Sequence, residues 1–500
     1  MTKKIEQLKN ALAEIVDLGY LMAIAGWDQE TYMPPKGAKE RGEQLGTLAG
    51  IIHEKITSPK IGRLLEKAEQ EAAALDPDST EARLVKVARR EFDKRVKVPA
   101  RYYQELSTTS ALAYDAWKQA RAEDDFEKFR PYLEKVVALR REYADYFRPY
   151  EHVYDPLLDE FEPGLKTKEV QAIFDELRPQ QVELIRQISN RPQVDDSPLH
   201  QHFDEQKQWD FGVEVITKFG YDWERGRLDK TAHPFTTSFG LDDVRITTRI
   251  LPDYIGSGLF STMHECGHAL YGLGIDPALA RTPLADGASL AIHESQSRLW
   301  ENLVGRSKSF WEYFYPRLQS LFPDQLGKVS LDTFYKGINK VEPSLIRVEA
   351  DEATYNLHIM LRLEIEIALI SGDLEARHLP DLWNSKMKEY LGVLPPNNAQ
   401  GVLQDVHWSH GYIGYFATYA LGNLISAQWW EAIQKDIPDL DDQIRHAEFG
   451  ELLSWLREKI HRHGAKFEGQ ELVQKITASG ISPKPYIQYL RRKYGEIYGL

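Results

Sequence analysis

The chain has 500 residues, 42% of them hydrophobic and 28% charged, with a mean hydropathy of −0.48. Its 62 basic and 76 acidic residues leave a formal charge of −14, which argues against nucleic acid or an anionic membrane as partner, since both need a basic surface. No run of about eighteen apolar residues occurs, so no membrane span is expected. The amino terminus lacks the continuous apolar stretch of a signal peptide, and the lone Cys266 excludes an intrachain disulfide, so a cytoplasmic protein is expected.

In chain order, "IEQLKNALAEIVDLGYLMAIAGW" spaces Ile5, Leu8, Leu12, Ile15 and Val16 as a helix does, and "MPPKG" (33–37) breaks it. Similar patterns cover 39–56, 79–96, 99–122, 125–147 and 167–190. The texture changes in "HPFTTSFGLDDVRITTRIL" (233–251), which alternates with period two. Val244, Ile246, Thr248 and Ile250 face one way, and Asp243, Arg245, Thr247 and Arg249 the other. This predicts a strand in a hairpin that turns at "FGLDD". Helical patterns resume at 259 and run to the end, with loops near 275–288, 393–400 and 409–414. No period of 20–50 residues repeats, so the expectation is a mainly α protein with a small sheet.

The stretch "STMHECGHAL" (261–270) carries the chemistry. On a helix, His264 and His268 lie about 40° apart in projection, so both rings can reach one point. Glu265 lies about 100° round from His264, where a general base beside a metal belongs. "GSG" (256–258) reads as a flexible lead-in, and Gly272 or Gly274 as the stop. By composition alone the motif arises in about 3 or 4% of random chains, so the next segment decides. "SLAIHESQSRLWENLVG" (289–305) is a second amphipathic helix, with Leu290, Leu299, Trp300, Leu303 and Val304 as its core stripe. Glu294, 26 residues past His268, stands where a two-histidine, one-glutamate zinc site takes its third ligand. The competing reading pairs Glu294 with Arg298 one turn on. Cys266 points about 160–200° away from both histidines and reads as a buried structural thiol.

With these motifs in view, the sequence resembles the carboxypeptidase Taq-type HExxH metallocarboxypeptidases. The resemblance rests on "HPF" (233–235), "DVRIT" (243–247), "HECGH" (264–268), "HESQ" (293–296), "IRVEAD" (346–351) and "GVLQDVHW" (401–408), in family order. It implies one almost wholly helical domain over 1–500 with a deep groove, like neurolysin and angiotensin-converting enzyme. Residues 1–210 would form a helical groove wall, 211–430 the catalytic core and 431–500 C-terminal helices. It further implies a homodimer with one Zn2+ per chain (Co2+ or Mn2+ as substitutes) that removes single C-terminal residues from peptides with broad specificity.

A carboxypeptidase also needs a cation for the substrate's free carboxylate and donors for the tetrahedral oxyanion. Arg347 is the favoured anchor, with Asp351 one turn on to hold its guanidinium, and Arg245 helps close the end of the groove. For the oxyanion the candidates are His407 and Tyr415, with Tyr412 and Tyr419 of "HGYIGYFATY" (410–419) as alternates, and His233 on the groove wall. The alternatives are an endo-acting zinc oligopeptidase on the same scaffold and an inactive peptide-binding relative. The intact His264, Glu265, His268 and Glu294 argue against the latter.

Overall fold

The computed structural model describes residues 3–500. They form two compact units, each assembled from three stretches of chain. The first unit contains the described residues up to 96, with 196–338 and 430–472; the second contains 97–195, 339–429 and 473–500.

In the first unit, Lys3–Thr31 and Pro59–Ala72 bury Ile5, Leu8, Leu12, Ile61 and Leu65 in a cluster shared with Leu84, Val85, Ile275 and Leu284. The apolar spacing read for the first helix is thus a core stripe at its start, and the helix runs to Thr31, just before the predicted break. The Pro59–Ala72 helix, which the periodicity missed, starts at Ser58, whose hydroxyl accepts from the Ile61 N–H, with Pro59 at its first position.

The sheet has three strands in the order β1–β3–β2, where β1 is Gly226–Lys230, β2 Thr236–Ser238 and β3 Val244–Thr248. The predicted hairpin is β2–β3, antiparallel, with Thr237 opposite Arg245 and the Phe239 N–H closing the turn on the Asp243 carbonyl. β1 adds to β3 in parallel, which local alternation could not show. Thr247 is buried although it was read on the polar side. Its hydroxyl accepts from the Phe235 N–H and the Thr231 hydroxyl, which makes its burial affordable.

The helix Ile255–Gly274 follows the sheet, and Leu290–Arg298 continues into a π-helical turn, Leu299–Val304. Gly256 and Gly258 lie inside the first helix rather than leading into it, packed on Tyr254 and Ile250. Of the predicted core stripe, Leu299, Trp300, Leu303 and Val304 are buried, whereas Leu290, at the helix start, is 40% exposed. The two helices touch backbone to side at Gly267. A Cβ there would lie 2.7 Å from both the Gln296 carbonyl oxygen and Ser297 Cα, so only glycine permits this spacing.

The regular elements of the second unit are all helices. The patterns at 99–122, 125–147 and 167–190 appear as Ala100–Glu123, Phe126–Asp145 and Thr167–Ser189. At its centre, Tyr355–Ser371 is buried on nearly every side and still carries His358, Arg362 and Glu366 four apart along one face. No helix among the described residues is long and apolar enough to cross a membrane.

Candidate metal centre and arginine cluster

His264, His268 and Glu294 converge as predicted. Glu294 Oε2 lies 3.5 Å from His264 Nε2 and 3.4 Å from His268 Nε2. A tetrahedral ion with bonds of about 2.0–2.1 Å keeps its donors about 3.3 Å apart, so the three side chains fit such an ion. The close helix contact at Gly267 is what lets a residue of the second helix reach both rings of the first.

The pair with Arg298 forms and still leaves one carboxylate oxygen towards the histidines. Arg298 Nε donates to its Oε1 at 2.6 Å, which leaves Oε2 for the histidines. Arg298 Nη1 also reaches Glu301 Oε2 at 3.3 Å, and Glu301 Oε2 in turn lies 2.9 Å from His264 Nδ1. Burial raises both carboxyls, but Arg298 first and His264 next outweigh it, so Glu294 falls well below the usual range and Glu301 to about 2. Burial opposes charge on the His264 ring, yet Glu294 and Glu301 outweigh it and its pKa is raised. Glu301 was not foreseen. Its signal was its place seven residues past Glu294, two turns along the same face.

Glu265 is buried outside the three-residue cluster. The hydroxyl of Thr236, on β2, donates to its Oε2 at 2.6 Å. Cys266 is fully buried, and burial pushes its thiol well up. Arg245 forms a two-pronged pair with Asp243, both contacts at 2.8 Å, and stacks over Trp27 and Phe239. His233 is exposed and joins the cluster through no hydrogen bond of its ring.

The other predicted residues gather in the second unit. Arg347 is buried, but Asp351 does not hold it. Asp351 instead accepts from the backbone N–H groups of Glu342, Ala353 and Thr354, as a local turn-former does. The partner is Asp405, which takes Arg347 Nε at 3.1 Å and Nη2 at 2.7 Å on Oδ1, and Arg362 Nε at 2.7 Å on Oδ2. Arg347 Nη1 donates to the Tyr355 hydroxyl at 2.9 Å. Burial would raise Asp405, but Arg362 and then Arg347 hold it far below the usual range. Two buried guanidinium groups thus share one carboxylate, and Arg347 keeps one N–H free on each Nη.

His407 stands over the same carboxylate, Nδ1 3.7 Å from Asp405 Oδ1, and burial drops its pKa to about 4, so it is neutral. Its ring centroid is 5.4 Å from Tyr415 and 6.4 Å from Tyr419, and the Tyr419 ring lies 5.2 Å from the Arg347 guanidinium. Tyr412 is half exposed, 6.1 Å from Tyr415. Behind this group the buried Glu366 accepts from Trp408 Nε1 at 2.8 Å, the Gly414 N–H at 3.0 Å and the Tyr154 hydroxyl at 2.5 Å. Burial outweighs its three hydrogen-bond donors and the charge of Arg140, and raises it to about 7.

A helix-borne pair of histidines, a glutamate between them and a third ligand from the next helix define a metallopeptidase. The sequence pattern of the carboxypeptidase Taq (M32) metallopeptidase family matches residues 7–494. The chain is 43% identical over 496 residues to thermostable carboxypeptidase 1 of Thermus thermophilus, covering 97% of each, and 39% identical to carboxypeptidase 1 of Bacillus subtilis, covering 95% of each. The crystal structure of an M32 carboxypeptidase from Deinococcus radiodurans superposes with a TM-score of 0.96 at 40% identity, covering all of both chains. The chain belongs to the carboxypeptidase Taq (M32) family, and is a metallocarboxypeptidase, a peptide hydrolase.

Proposed function

We propose that this is a zinc exopeptidase that releases single residues from peptide C-termini with broad specificity. It acts as a cytoplasmic homodimer, each chain a single catalytic domain of neurolysin and angiotensin-converting-enzyme type with one ion. The observation that carries the exo reading is the buried charge surplus at Arg347, Arg362 and Asp405, which a substrate carboxylate neutralises.

His264, His268 and Glu294 would hold a divalent ion, which would supply Lewis acidity and lower the pKa of a water molecule. Glu265 takes the proton of the attacking water and returns it to the leaving amine; Thr236 occupies its Oε2, so Oε1 is the oxygen that accepts. Arg347 takes the terminal carboxylate with its two free N–H groups, and Arg245 confines the end of the peptide. Neutral His407 and Tyr415 donate to the oxyanion, with Tyr412 and Tyr419 as further donors and His233 on the wall.

The test is an N-blocked tripeptide with a free or an amidated C-terminus, each with and without chelator. Release of the last residue from the free acid alone, abolished by chelator, is expected. Internal cleavage of the amide would move the assignment to an endopeptidase, and binding without cleavage to an inactive relative.

A further inference from the structure

The two ligand histidines are held from behind by partners of unlike charge. Glu301 Oε2 lies 2.9 Å from His264 Nδ1, whereas His293 Nδ1 lies 2.8 Å from His268 Nδ1. A histidine that offers the lone pair of Nε2 carries its single proton on Nδ1. For His264 the Nδ1–H then donates to a carboxylate, a common arrangement behind metal ligands. For His268 the same count leaves one proton between two ring nitrogens. The proton belongs to His268, so His293 Nδ1 is the acceptor and His293 carries its own proton on Nε2.

We infer that His293 is a positioning residue for the metal: its Nδ1 lone pair fixes the tautomer and ring direction of His268, with no charge of its own. This rests on the reading that His264, His268 and Glu294 hold an ion. The seat of His293 is built for that orientation. A Cβ at Gly287 would fall 2.8 Å from His293 Cδ2, so glycine there makes room for the ring. Tyr271 packs on the other side, ring centroids 5.0 Å apart, and its hydroxyl accepts from the Ala288 N–H at 3.0 Å, which holds the loop beside Gly287. The His293 N–H donates to the Ser289 carbonyl at 3.0 Å, so the backbone is anchored in the first turn of its helix. One arm of the site thus has an anion behind it, and the other only an aligned lone pair.

The test compares His293→Phe, which keeps a ring but removes the acceptor, with His293→Asn, whose side-chain oxygen can replace Nδ1. Zn2+ affinity is read by competition with a chromophoric chelator, and the melting temperature of the metal-free protein serves as control. His293→Phe should bind Zn2+ roughly 10–100-fold more weakly at an unchanged metal-free melting temperature, and His293→Asn should recover most of the loss. Equal weakening in both variants, or none in His293→Phe, would overturn the acceptor role. Should the Phe variant not fold, long-range 15N–1H spectra of the Zn2+-loaded wild type decide, because a proton on His293 Nδ1 contradicts the inference. Full metal occupancy in His268→Ala is a different failure, since it removes the metal reading itself.

Discussion

Around His264 and His268 the carboxylates of Glu294 and Glu301 face the cations Arg298 and Arg306, and Glu265 adds a third carboxylate bonded to Thr236; around Asp405 two guanidinium groups face one carboxylate. The first cluster is left short of positive charge and the second short of negative charge. The first therefore favours a cation, and the second an anion. Buried ionic groups with a deliberate imbalance cost folding free energy and are more easily explained by what they bind than by what they stabilise.

The comparison breaks most readily at Glu265, the one carboxylate of the first cluster assigned to proton transfer. Glu265→Gln should retain stoichiometric metal by elemental analysis and lose about 10²–10⁴ in kcat/KM. If it kept activity within about tenfold, a group other than Glu265 would be the base.

In the second region, Glu366 sharpens the contrast, because it is a buried carboxylate without the cations that surround Asp405. Its folded-state pKa of about 7 is above its ordinary value of 4.5, so the folded chain holds the proton more tightly than the unfolded one. Its contribution is therefore fully present below about pH 4.5 and is lost as pH rises through 7, by roughly 3 kcal/mol at most. Urea unfolding of the wild type and Glu366→Gln at pH 4.5 and 8 should show that the variant lacks this pH-dependent part. Identical slopes in the two proteins would place the raised pKa in doubt.

The charge surplus itself is tested by a two-by-two comparison of wild type and Arg347→Ala on a free and an amidated peptide. Each change alone should cost roughly a hundredfold in kcat/KM, and the two together little more, because both delete one interaction. Additive losses would free Arg347 of the role and transfer it to Arg245. The smallest effect belongs to Cys266, buried in the metal helix but uninvolved. Cys266→Ala should leave metal content and kcat/KM unchanged at a stability cost of about 1 kcal/mol in thermal unfolding.

The two regions also differed in how far the sequence exposed them. His264, Glu265, His268 and Glu294 lie on two consecutive helices, so spacing alone brought them together, and even the hairpin that supplies Thr236 was visible as alternation. Asp405 lies 58 residues from Arg347 and 43 from Arg362, and no periodicity connects residues so far apart. Asp351 was the nearer acid and so the natural wrong choice; its backbone contacts show that turn chemistry had already claimed it. Arg362 and Glu366 did leave a trace, since charged residues four apart in "YNLHIMLRLEIEIALI" interrupt an otherwise apolar helix. The fully buried helix around them is what turns that trace into a site. His293 is visible in "HESQ", but its contact with His268 is ring to ring and only coordinates reveal it.

The shared carboxylate of Asp405 has a consequence for turnover. An amino acid just released carries the same carboxylate as the peptide it left, so under the proposed role of Arg347 its two free N–H groups would hold product as well as substrate. The full attraction of an unpaired guanidinium would make the enzyme a trap for its own product. Asp405 occupies Nε and one N–H of Nη2, so under that role it would temper the hold on the departing residue as much as the grip on the arriving one.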